Sequence, residues 1–101
     1  SSEAHVALTI NSRENLLGCE IYISKNKELF SFLQERKEEI EKEIGEQAEW
    51  VNAAVASRIK IKKRVSDVFS QSEAENYFAW LYEKTVLFQK VFGRHLREFK
   101  K

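Results

Sequence analysis

The apolar residues of this chain repeat first at every second position and then at every third or fourth, and this alternation of periods runs through the sequence twice. Val6, Leu8 and Ile10 fall on one side of His5–Asn11, with His5, Ala7 and Thr9 on the other. Leu17, Cys19, Ile21 and Ile23 oppose Gly18, Glu20, Tyr22 and Ser24 in the same way. A period of two marks half-buried strands. The polar stretch Ser12–Asn15 between them has the length of a hairpin connection, so an antiparallel pair is expected. From Lys27 to Ile44 the spacing of Leu29, Phe30, Leu33, Ile40 and Ile44 predicts one helix with a single apolar face. Asn26 is placed to cap its start and Gly45 its end.

The second half repeats the order. Ala48, Trp50 and Asn52 oppose Glu49 and Val51, and Ile59 and Ile61 oppose Arg58, Lys60, Lys62 and Arg64, which predicts a second hairpin over Ala48–Ala53 and Ser57–Val65. Ser70 and Glu73 have capping-box spacing before a last helix from about Glu73 to Phe92. That helix pauses at Gly93 and can continue to Phe99. Tyr77, Phe78, Leu81, Phe88, Val91 and Phe92 form its core stripe, and Trp80 and Leu87 widen it to roughly half the circumference, more than a surface helix needs. Such a helix requires cover from two directions: the sheet, and the first helix, a partner chain or a further segment. The fold class expected is α+β, an antiparallel four-stranded sheet in the order strand-strand-helix-strand-strand-helix. Both helices pack on one face and the other face is wet.

At 101 residues the chain is long enough for one domain, residues 1–101. Its 43% apolar and 33% charged content excludes a disordered chain, and no run approaches the roughly 18 apolar residues of a spanning helix, so no membrane partner is expected. Seventeen basic against sixteen acidic residues leave +1, which indicates no partner. The single Cys19 rules out an internal disulfide or a cysteine zinc site. With no leader-like start, a reducing, cytoplasmic setting is expected. The absence of methionine reads as a piece cut from a larger protein.

The stretches His5–Arg13 and Gly18–Ile23, followed by Arg36–Gly45, Glu49–Trp50, Ala56–Ile59 and Lys90–Phe92, resemble a widespread prokaryotic domain family of unknown function. That family is often found C-terminal to restriction-endonuclease-like nuclease domains, and also as small stand-alone proteins. The resemblance covers nearly the whole chain. It implies the C-terminal part of a larger protein, because family members usually carry an aromatic-rich helix and a strand upstream. It supplies no catalytic residues.

Residues that could carry chemistry are few. A restriction-endonuclease-like centre needs an Asp at a strand end and Glu-x-Lys on the next strand around a divalent ion. Asp67 is the sole aspartate, and Glu35-Arg36-Lys37 lies upstream of it within a helix. Ser24/Lys27 and Ser57/Lys60 have Ser-x-x-Lys spacing, but neither pair lies within a helical turn that would bring the side chains together. His5 and His95 read as surface residues and Cys19 as a small core residue. No catalytic residue, metal site or cofactor is expected. Arg36 falls within the apolar stripe of its helix. Its stem can pack while the guanidinium reaches water or a carboxylate, or it can anchor a neighbouring segment.

The basic runs stand above background. Arg58, Lys60, Lys62 and Arg64 on one strand, with Tyr22 on the same wet face, could follow a phosphate backbone, and the tail adds Lys90, Arg94, Arg97, Lys100 and Lys101. Glu20 and Glu49 on neighbouring strands could equally pair with these cations. The function expected is a non-catalytic accessory domain mediating assembly within a nuclease-associated, DNA-processing or defence-type protein. Trp80, Leu87 and Arg36 are its candidate interaction face, and its partner is a second copy or a missing N-terminal segment of the parent chain. The alternative is a DNA-binding module using the basic strand.

Overall fold

The computed structural model describes residues 3–100. Strands β1 (Ala4–Asn11), β2 (Leu16–Ser24), β3 (Glu49–Asn52) and β4 (Ala56–Arg64) form one antiparallel sheet in the order β1-β2-β4-β3. The expected α+β architecture is the one observed. β1 and β2 pair without a bulge from Ala4↔Ile23 to Asn11↔Leu16, and β2 and β4 from Leu16↔Arg64 to Ser24↔Ala56. The turn between β1 and β2 takes Asn15 to φ 55°, a conformation asparagine tolerates. The Asn15 side chain then accepts the Val68 N–H at 3.0 Å, tying this hairpin to the segment that leads into the last helix.

Helices α1 (Lys27–Glu35), α2 (Lys37–Ile44) and α3 (Ala74–Phe99) cover the face carrying Cys19, Ile21, Ile23, Ile59 and Ile61. Phe30, Phe88 and Phe92 are buried at its centre, each contributing roughly 2–3 kcal/mol of apolar burial. A smaller cluster of Leu17, Tyr77 and Leu81 lies under Val65 and Val68. The Tyr77 hydroxyl donates to the Asp67 carbonyl at 3.0 Å. Asn26 caps α1 by accepting the Leu29 N–H at 2.9 Å, and Gly45 ends α2 at φ 83°.

Four sequence expectations are corrected. The helix expected over Lys27–Ile44 is two helices, broken at Arg36, whose N–H bonds to the Leu33 carbonyl three residues back. The Ser70/Glu73 capping box does not form: Ser70 Oγ pairs with Ser72 Oγ, and the Glu73 carboxylate accepts from Asn76. α3 runs through Gly93 without a pause. Phe78 is not core but 67% exposed, because it projects from the flank of α3 that the sheet leaves open. None of the helices formed by the described residues is long and apolar enough to cross a membrane.

Candidate functional site

Three places bring polar or exposed apolar groups together. The first is the wet face of the sheet. Register sets Tyr22 opposite Arg58, Glu20 opposite Lys60, and Glu49 opposite Lys60 from the other side. Arg58 Nε donates to Glu20 Oε2 at 3.0 Å and its guanidinium lies 5.1 Å from the Tyr22 ring centre, which in turn packs 5.2 Å from His5. Lys62 pairs with Glu49 at 3.1 Å, and this bond holds the Glu49 carboxyl below the usual carboxylate range. Arg64 donates to the Glu14 carbonyl at 3.2 Å. A shallow groove of about 360 Å³ lies among Thr9, Asn11, Glu20, Lys60 and Lys62. Gly18 lies opposite Thr9 on this face, where an added Cβ would clash with Thr9 Oγ1. Arg58, Lys62 and Arg64 are thus each tied to a carboxylate or a carbonyl, while Lys60 stands in register between Glu20 and Glu49. Lys101, the last cation of the tail, lies outside the described residues.

The second place is buried. His95, which the sequence reads as a surface residue, has no exposed area. It stands three residues after Phe92 and four after Val91, on the continuing core stripe of α3, a spacing that carries the signal for its burial. Arg36 Nη1 approaches His95 Nδ1 at 3.0 Å, and a guanidinium can only donate, so Nδ1 accepts. Nε2 stands 2.8 Å from Glu43 Oε1 and 3.2 Å from Arg94 Nη2. One nitrogen cannot both donate to the carboxylate and accept from the guanidinium, and the shorter contact assigns it the proton, donated to Glu43. Arg36 also pairs with Glu98 and lies 4.3 Å from the Phe32 ring centre. Arg36, placed in the candidate interaction face, is engaged inside the molecule, joining the α1–α2 break to α3.

Glu39, Glu43 and His95 hold three donor atoms within 4.8 Å of one another, a spacing that a metal ion could use. Two features oppose it. Arg94 already pairs with both carboxylates. Metal ligation through Nε2 needs a protonated Nδ1 facing an acceptor, whereas Nδ1 faces the Arg36 guanidinium. The cluster is an internal ion-pair network. Cys19 is equally closed to chemistry: burial pushes its thiol up to about 12, so almost no thiolate is present at neutral pH.

The third place is apolar and open. Leu8 and Ile10 on β1 are 48% and 59% exposed, and Phe78, Tyr82 and Val86 on α3 are exposed as well. α3 crosses the sheet obliquely. Its C-terminal half lies against Ala4 and Val6, while its N-terminal half packs on Leu17 and Val65 and leaves the far end of β1 uncovered. Trp80 and Leu87, the residues expected to need a second cover, are half-buried against the core. The apolar arc of α3 is as wide as its spacing predicts, but the uncovered flank is the opposite one.

No curated protein and no solved structure matches the chain. The chain matches the family described as a domain of unknown function, DUF4268, over residues 1–96. An α+β chain matched over nearly its whole length in this way belongs to the DUF4268 family.

Proposed function

We propose that this chain is a non-catalytic accessory domain whose apolar β1–α3 face mediates assembly within a prokaryotic DNA-processing or defence-type protein, beside a separate nuclease module. The resemblance of its sequence to nuclease-associated domains supports that setting. The observation that carries the assembly role is the exposure of Leu8 and Ile10 on one face of the edge strand β1 and of Phe78, Tyr82 and Val86 at four-residue steps along one flank of α3. Large apolar side chains left exposed on an edge strand and one helix flank suit an interaction surface. The polar groups gathered at His95, and Arg58 and Lys62 on β4, are paired within the molecule, which supports an assembly role over a reactive one.

A second reading, DNA binding through Arg58, Lys60, Lys62 and Arg64, is favoured by the aromatic–cation row His5, Tyr22 and Arg58 on the same face. A duplex titration at low salt separates the two. The assembly reading expects no shift, or one indifferent to Lys60→Glu with Lys62→Glu. Affinity that falls steeply with salt and disappears in that double variant would replace it with the DNA-binding reading.

A further inference from the structure

Resting on the assembly reading, we propose that the occupant of this face is a second copy of the chain. The two β1 strands pair antiparallel about a two-fold axis between Leu8 of one copy and Leu8 of the other, and the two sheets become one of eight strands.

The backbone is aimed for it. The Ser24 N–H donates to the Glu3 carbonyl at 2.9 Å, so Glu3 and Ser24 form a hydrogen-bonded pair one step before Ala4↔Ile23. Alternation along an antiparallel ladder then turns the N–H and C=O groups of Ala4, Val6, Leu8 and Ile10 toward the open edge. The edge is also unguarded. Between Ala4 and Asn11 there is no Lys, Arg, Asp, Glu or Pro, and the ladder has no bulge, although these are the usual means of blocking edge pairing. The opposite edge, β3, is four residues long and carries Glu49, tied to Lys62.

The side chains are self-complementary, as a two-fold contact requires. With Leu8 on the axis, Val6 meets Ile10 of the other copy on the helix side. On the wet side Ala7 meets Thr9, and His5 meets Asn11. No charge is opposed. The oblique course of α3 fits the same axis, because the end of β1 that α3 covers in one copy is brought to the uncovered end in the other. The α3 flank facing this seam, from Phe78 through Tyr82, Val86, Gln89 and Gly93 to Leu96, is uncharged. Glu75 and Lys100 stand at its two ends, so antiparallel helices set opposite charges together. At exposures of 46–73%, the five apolar side chains supply on the order of 500 Å² per copy, so a pair buries about 1,000 Å² from them alone, the size at which specific interfaces begin.

Two measurements test the proposal. Sedimentation equilibrium from ~1 μM to ~1 mM should show a dimer, and Leu8→Lys should weaken it at least tenfold by opposing two ammonium groups on the axis, with circular dichroism showing the fold retained. Because the free Cys19 stands directly opposite Leu8 on β2 and would compete within the chain, the cysteine test is made in a Cys19→Ala background. There Leu8→Cys should form an intermolecular disulfide on mild oxidation, since hydrogen-bonded antiparallel neighbours lie about 5.5 Å apart at Cα. Ile10→Cys should not, because it faces Val6. A monomer throughout, a dimer indifferent to Leu8→Lys, or equal cross-linking of the two cysteine variants overturns the proposal. The duplex titration judges the assembly reading independently, so a monomer that ignores DNA removes only the second copy as occupant.

Discussion

His95 shows how much one side chain can hold when its two shortest contacts reach another part of the chain. Its ring accepts from Arg36 at the α1–α2 break and donates to Glu43 on α2. Removing it as His95→Ala leaves a cavity and deprives a guanidinium and a carboxylate of a partner. About 2–4 kcal/mol of stability should be lost, read as a lower urea midpoint at unchanged slope. Glu41 works on a smaller scale. Desolvation acts against its carboxylate, but the Ala48 amide and the Trp50 indole N–H both donate to it and hold its pKa below the ordinary value. A carboxyl depressed in the folded state contributes stability above its unfolded pKa and loses it as pH falls through the folded value. Glu41→Ala should therefore cost about 1–2 kcal/mol near pH 7, and chemical denaturation at stepped pH should show the gap from the parent narrowing below about pH 4.5.

The strands and helices were legible because each has two faces in different surroundings, and burial writes that difference as a period. Asn26 and Gly45 were legible for a second reason: capping is local, and the residue types that satisfy it are few. The break at Arg36 was hidden, since the guanidinium at that point is seated among Phe32, His95 and Glu98, two of them some sixty positions away and outside any local pattern. Periodicity alone set the width of the α3 arc, while the choice of covered flank depends on the angle at which the helix crosses the sheet. The β3–β4 turn was equally obscure, because Lys27 holds it by donating to Asn52 at 2.8 Å and to the Ala53 carbonyl. At this scale Gly45→Ala should cost about 1 kcal/mol by forcing a Cβ into φ 83°, read in thermal melts. Gly18→Ala should be destabilising alone, and much less so combined with Thr9→Ala, which removes the oxygen its Cβ would meet.

For the molecule as a whole, Cys19 offers a report on opening. It lies at the centre of the sheet with no exposed surface, so a thiol reagent should reach it only through large-scale unfolding. A variant destabilised by about 1.4 kcal/mol should then label roughly tenfold faster, and labelling at a rate indifferent to stability would instead indicate a local path through the core. The two borders of the sheet differ in another way. β1 is long and neutral, whereas β3 is short, with Trp50 tied to Glu41 and Asn52 to Lys27. A sheet that can be extended from one border alone has only one round of growth available. Once two such borders meet, the ends left are both of the β3 kind, and the product is a closed particle with no template for a third chain.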